Sequence, residues 1–380
     1  MTTRPKTLRS AAELAAAGLV PDARVAALDA VAARYAVAVP PALAALIDPT
    51  DPDDPIARQF VPDPAELDTA PEERPDPIGD DAMSPVEGIV HRYPDRVLLK
   101  LVHVCPVYCR FCFRRAMVGP EGRPTLSAKK IAAALDYIGG RREIFEVILT
   151  GGDPLILAPD KLGAVVAALG AIPHVRVVRL HSRVPVAVPE AITPALVAAL
   201  KIPGKATYVV LHANHPRELT DGARRACARL IDAGIPMLSQ SVLLKGVNDD
   251  DKTLAELMRA FVAARIKPYY LHHGDLAPGT AHLRTTIADG QALMRRLRGR
   301  VSGLAQPTYV LDIPGGAGKV PVGPTHAVPA GGCAPGAERW EIEDLQGRTH
   351  TYPPEPEDQE PVPEENEPEQ DDEDEADGTM

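Results

Sequence analysis

Cys105, Cys109 and Cys112 lie within His103-Val-Cys-Pro-Val-Tyr-Cys-Arg-Phe-Cys-Phe-Arg-Arg115, spaced C-x3-C-x2-C with no fourth cysteine nearby. Thiolates at that spacing can converge on one metal centre, and the missing fourth ligand decides the chemistry. A closed structural zinc site takes four ligands, usually as two C-x-x-C pairs, and would need His103 to complete it. An iron-sulfur cube held by three thiolates instead leaves one iron free to bind another molecule. Three merely buried cysteines are the remaining alternative.

A second candidate is Lys319, at the end of Gly315-Gly316-Ala317-Gly318-Lys319. The Walker phosphate loop needs Gly at 313 and Ser or Thr at 320, where this chain has Ile313 and Val320, so a nucleotide P-loop is not indicated. Glycines let the backbone bend tightly around one lysine, and a lysine presented in a site can form a Schiff base with a carbonyl or with pyridoxal phosphate (PLP). The plain alternative is a solvated loop lysine.

These groups need a scaffold that brings them together. From residue 97 short apolar runs alternate with helical stretches: Val97–His103, Phe145–Thr150, Arg176–His181, Thr207–His212, Met237–Leu244 and Pro268–His272, with helices over 127–139, 159–170, 193–200, 219–233, 251–264 and 288–298. Six such units of about 30 residues predict parallel strands joined by right-handed crossovers. Polar motifs fall at or beyond the end of the runs. The cysteines follow the first, Gly151-Gly152-Asp153 the second, Ser182-Arg183 the third, His212 to His215 the fourth, and His272-His273-Gly274-Asp275 ends the sixth. Loops at the C-terminal ends of barrel strands share one face, so an incomplete (β/α) barrel, open at one side, is the predicted architecture. Residues 1–50 read as a helical N-terminal extension, with Ser10 and Asp22 as N-caps of helices reaching Gly18 and about Val37. Residues 51–90, rich in Pro, Asp and Glu, read as an irregular connector, 91–300 as the barrel, 301–350 as the lysine loop and a C-terminal region, and 351–380 as a disordered acidic tail.

The tail accounts for the net charge of -11, because it holds fourteen Asp/Glu and no Lys/Arg and leaves the first 350 residues near +3. Nothing there demands nucleic acid; Arg295, Arg296, Arg298 and Arg300 read as a solvated helix face. No apolar run approaches the roughly 20 residues of a membrane helix, residues 1–10 lack the apolar core of a signal peptide, and five cysteines form no disulfide framework. A protein of the cytoplasm is expected.

The cysteine spacing resembles that of the radical S-adenosylmethionine (SAM) enzymes, in which the open iron of a 4Fe-4S cluster chelates SAM and one electron releases a 5'-deoxyadenosyl radical. His91-Arg-Tyr-Pro-Asp-Arg96, Cys105 to Arg115, Thr150-Gly-Gly-Asp-Pro-Leu155, Ser182-Arg-Val-Pro185, Asn214-His-Pro216, Gln240 to Asp249 and Asp312 to Lys319 together resemble, more narrowly, the lysine 2,3-aminomutase family, over residues 85–325. The resemblance implies an α/β fold, a radical SAM partial (β/α)6 barrel. It implies Cys105, Cys109 and Cys112 as cluster ligands, Lys319 as the lysine that bonds PLP, and Arg92, Tyr93 and Arg96 around the PLP phosphate. Gly151, Gly152, Asp153, His212 and Gln240 would contact SAM. Arg114 would pair with the α-carboxylate of the substrate, and Asp275 and Asp312 with the side-chain ammonium of L-lysine; two carboxylates facing one cation would repel glutamate.

The implied reaction is a 1,2-amino migration, L-lysine to β-lysine, served by a reducing protein such as flavodoxin or ferredoxin and compatible with a homo-oligomer. Cys227 and Cys333 do not reproduce the zinc-binding cysteines of clostridial-type members, so zinc is not carried over. The alternatives are the branch that supplies β-lysine to elongation factor P, an aminomutase for another amino acid such as glutamate, and a non-catalytic iron-sulfur protein; Asp312 favours the free-lysine enzyme over the elongation-factor branch.

Overall fold

The computed structural model describes residues 6–119, 125–330 and 339–354; most of the acidic tail, and Cys333, lie outside the described residues. The chain forms two compact units, divided at Pro324 and Thr325.

The first unit is built on a nine-stranded sheet in chain order, β1 (Ile89–Tyr93), β2 (Arg96–Val102), β3 (Glu146–Gly151), β4 (Val177–Ser182), β5 (Ala206–His212), β6 (Met237–Val242), β7 (Ile266–His272), β8 (Thr308–Ile313) and β9 (Gly318–Pro321). Strands β2 to β8 run parallel, and β1 and β9 pair antiparallel at the two edges. The six predicted strands are β2 to β7, within a few residues at each end. The predicted helices also form, at Ala128–Gly139, Pro159–Ala171, Pro194–Ala199, Asp221–Asp232, Asp251–Ala263 and Ile287–Leu297. Each crossover helix turns an apolar stripe to the sheet; Asp251–Ala263 buries Leu254, Leu257, Met258 and Phe261 at helical spacing. Cys227 is one of these stripe residues, fully packed beside Ala226 and Leu230, which explains its separation from the cysteine cluster.

The sheet curls until its edges nearly meet. The Tyr93 hydroxyl on β1 accepts the backbone N–H of Lys319 on β9 at 2.6 Å, so one tyrosine spans the seam of the barrel. Gly318 lies at that seam with φ +101, and a Cβ there would come within 3.3 Å of the same hydroxyl. The barrel sheet therefore continues past residue 300 and carries Lys319 on its own last strand. The two edge strands, β1 and β9, and β8 are not among the predicted runs.

The N-terminal segment packs against the cysteine loop. Ser10 caps Ala11–Ala16 as expected, whereas the second helix begins at Val25 after a 3-10 turn over Asp22–Arg24 and ends at Ala32, short of Val37. Leu14, Leu28, Leu43, Ile56 and Phe60 form a core that includes Val107 of the loop. Backbone bonds from Tyr108 to Ala38 (3.2 Å) and from Arg110 to Gln59 (2.8 Å) fix the loop on this buttress.

The second unit holds a three-stranded antiparallel sheet, β10 (Ala327–Pro329), β11 (Trp340–Glu343) and β12 (Thr349–Tyr352). None of the described helices is long and apolar enough to cross a membrane.

Candidate active site

The barrel interior holds two adjoining cavities. The upper one, about 260 Å³, is lined from the C-terminal strand ends by the three cysteines, Arg92, Tyr93, Arg114, Gly151 to Asp153, His212, Gln240, Asp275, Asp312 and Lys319. Every residue expected in the site thus shares one chamber except Arg96. Arg96 lines the lower cavity, about 680 Å³, which the N-terminal halves of the strands enclose. Its guanidinium lies 3.8 Å from the centre of the Tyr93 ring, and Arg92, Tyr93, Gln240 and Lys319 line both chambers.

Cys105, Cys109 and Cys112 are free thiols. Burial raises all three, Cys109 to about 12, so only a metal's charge would hold them as thiolates. Among the described residues no three His, Cys, Asp or Glu side chains, the three cysteines included, close around a single metal ion. All three thiols line the same cavity, as ligands of one centre would have to.

Beside them the backbone of Gly151 and Gly152 runs against β2 and the cysteine loop. A Cβ on Gly151 (φ +108) would meet the Val102 carbonyl at 2.4 Å and one on Gly152 the Val104 carbonyl at 2.2 Å, so only glycine fits. Asp153 has its carboxylate filled by the N–H groups of Leu155, Arg183 and Val184 and by the Ser182 hydroxyl, at 2.7–3.1 Å. Burial raises it to about 6 against those donors. The side chain ties the loops after β3 and β4 together, and Gly151, Gly152 and Asp153 line the upper cavity.

Arg114 is aimed by a residue the motif reading did not name. Asp80, 1% exposed in the connector, accepts Arg114 Nη2 at 2.8 Å and Nε at 3.1 Å, while its other oxygen takes Arg92 at 3.2 Å. Burial opposes ionisation of Asp80, but Arg114, Lys100 and Arg92 outweigh it and hold the carboxyl below its usual range. Arg114 Nη1 is left against Thr150 Oγ1 at 3.5 Å. The connector supplies other buried carboxylates in the same way: Glu66 grips Arg110 and Arg115 on the cysteine loop, and Glu73 grips Arg284. No sequence signal marks such pairs, because the partners are 12 or more residues apart.

Lys319 Nζ donates to Asp312, its register partner across β8 and β9, and lies 3.3 Å from His272 Nδ1. His272 and Lys319 outweigh burial and push Asp312 well below the carboxylate range. Asp275 is the opposite case: burial, then the Asp312 charge, raises it to about 7, and its buried Oδ1 has no hydrogen-bond partner. The chamber therefore holds one carboxylate already on a cation and one buried carboxyl with an unpaired oxygen. His272 was legible only as a polar strand end.

The barrel and the C-x3-C-x2-C loop define a radical SAM protein, and residues 99–258 match the radical SAM superfamily model. Residues 294–377 match a second model, described as lysine-2,3-aminomutase. The chain is 43% identical over 292 residues to the L-lysine 2,3-aminomutase of Clostridium subterminale, covering 77% of this chain and 70% of that one. It is 44% identical over the same length to that of Acetoanaerobium sticklandii, with the same coverage. The glutamate 2,3-aminomutase of Clostridioides difficile is 38% identical over 301 residues, 79% of this chain and 71% of that one. The chain belongs to the lysine 2,3-aminomutase family, a family of isomerases whose radical SAM domain implies a 4Fe-4S cluster and SAM.

Proposed function

We propose that this protein is a PLP-dependent L-lysine 2,3-aminomutase. The observation that carries the reading is the pair Asp275 and Asp312. Asp312 already holds an ammonium, that of Lys319, and Asp275 presents a buried, unpaired oxygen to the same chamber. A lysine side-chain ammonium would satisfy both and allow Asp275 to ionise, whereas a glutamate carboxylate would add a third negative charge. At the other end, Arg114, held by Asp80, turns its remaining N–H groups to the substrate α-carboxylate.

The residues present fit the cofactors. Lys319 sits on a glycine-bounded edge strand, where it would hold PLP and, once bonded to it, would free Asp312. Arg92 and Arg96 offer guanidinium groups on either side of Tyr93, Arg92 with a buried unpaired Nε. The three cysteines would hold the cluster, and the Gly151-Gly152 backbone with His212 and Gln240 would line SAM. When bound, SAM and the cluster supply the hydrogen-abstracting radical, and PLP the π-system across which nitrogen moves. The chain's own work is to orient the lysine between Arg114 and the two aspartates and to shield the chamber from water. An electron-donating protein such as flavodoxin or ferredoxin, in a reducing cytoplasm, completes the system.

The test is anaerobic turnover of reconstituted protein with SAM, PLP, dithionite and L-lysine, with L-glutamate in parallel and chiral analysis of products. β-Lysine alone is the expected outcome; β-glutamate alone would overturn the reading of the aspartates.

A further inference from the structure

A continuous hydrogen-bonded chain crosses the barrel where the two cavities meet. His212 Nε2 lies 3.0 Å from Gln240 Oε1, Gln240 Nε2 lies 3.1 Å from His272 Nε2, and His272 Nδ1 lies 3.4 Å from Asp312 Oδ2 and 3.3 Å from Lys319 Nζ. The donors follow once the Gln240 amide is oriented with Oε1 to His212 and Nε2 to His272. His212 donates to the Gln240 carbonyl, so the Gln240 amide donates to His272 Nε2, and the one proton of neutral His272 sits on Nδ1, toward Asp312. Burial, and then the Lys319 charge, keeps His272 neutral.

We propose that His272 is a positioning residue that couples the SAM end of the chamber to the PLP end through its tautomer. The inference rests on the reading of Gln240 as a SAM contact and of Lys319 as the PLP lysine. A ligand that engages the Gln240 amide draws its N–H group away and turns its oxygen to His272 Nε2. His272 must then carry its proton on Nε2, and Nδ1 changes from donor to acceptor. An acceptor beside Lys319 Nζ stabilises the protonated nitrogen there. No net charge moves; one proton shifts across one imidazole. The groups facing His272 are Asp312 and Lys319 from β8 and β9, Gln240 from β6, the Tyr270 ring edge-on at 5.7 Å from its own strand, His181 from β4, and, beyond Gln240, His212.

The experiment uses holoenzyme with PLP and an oxidised cluster, so that SAM binds without being cleaved. The absorbance of PLP bonded to Lys319, identified by its loss in Lys319→Ala, is titrated against pH with and without SAM. The expected result is a midpoint raised by SAM by about half a pH unit or more, roughly threefold in proton affinity. In His272→Phe and in His272→Asn, which keeps a polar group near Nδ1 but cannot reach Gln240, the midpoint should not rise although both ligands bind. The SAM sulfonium acting through space alone would lower the midpoint. An unchanged or lowered midpoint in the wild type, or an equal rise in the variants, overturns the coupling. Absence of any Lys319-dependent absorbance overturns the PLP reading and the inference with it.

Discussion

Asp312 and Lys319 face each other across the β8–β9 ladder, and the lysine ammonium donates to the aspartate carboxylate. The position expected for the substrate's cation is therefore held by the protein's own. On the proposed reading, lysine binding and the bonding of Lys319 to PLP are linked, since one cation would leave Asp312 as another arrives. Lys319→Ala should abolish β-lysine formation while SAM cleavage to 5'-deoxyadenosine persists, because the cysteine loop lies on other strands. Quantifying both products in one anaerobic reaction checks this; normal β-lysine output would end the assignment of Lys319.

Replacing either carboxylate by its amide tests substrate choice. Asp275→Asn and Asp312→Asn each remove one charge from a buried site that must compensate an ammonium. A loss of about 2–4 kcal/mol corresponds to a roughly 30- to 1000-fold fall in kcat/KM for L-lysine. Neither variant should gain turnover of L-glutamate, since the remaining aspartate still repels its carboxylate. Steady-state kinetics with both amino acids decides it.

Asp275 also gives the protein a pH signature. Raised from 3.8 to about 7, the folded carboxyl binds its proton more tightly than the unfolded one. Stability is therefore lost as pH rises from about 4 to about 7, and the full cost stands above 7. Asp275→Asn removes that cost. Its melting temperature should match the wild type near pH 4 and exceed it by a few degrees at pH 8, in the absence of ligands. Lysine should oppose the cost by pairing with the ionised form, so its affinity should rise between pH 6 and 8. Thermal unfolding and lysine binding at three pH values measure both trends.

The six parallel strands and their helices were legible because each buried run ends in polar residues and each helix repeats its apolar positions, as in Leu254, Leu257, Met258 and Phe261. β1 was hidden because Ile89–Tyr93 and Arg96–Val102 are joined by only Pro94 and Asp95, inside a stretch read for its arginines. Asp22 caps no long helix, because the chain tightens into a 3-10 turn and leaves the second helix at Ala32. The site's thiols, aspartates and lysine could be named from motifs; the residues that aim them could not. Asp80, Glu66 and Glu73 lie among other acids in a Pro-rich stretch, and nothing local distinguishes a buried partner of a distant arginine from a solvated charge.

Asp80 offers the sharpest test of that hidden layer. It is one buried carboxylate serving two arginines, with Lys100 close enough to help keep it ionised. Removing its charge has two opposed effects. Arg114 loses the two bonds that fix its plane, which costs orientation toward an α-carboxylate. The pocket also gains net positive charge, which favours anions of any shape. In a site where the reacting carbon must be held in register, orientation governs turnover while charge governs only binding. Asp80→Asn should therefore lower kcat for lysine about 30- to 100-fold with a smaller change in KM, a loss of ~2–3 kcal/mol. Inorganic phosphate should become a stronger inhibitor of the variant than of the wild type. A rise in KM alone, with kcat unchanged and no added phosphate sensitivity, would show that Asp80 does not aim Arg114.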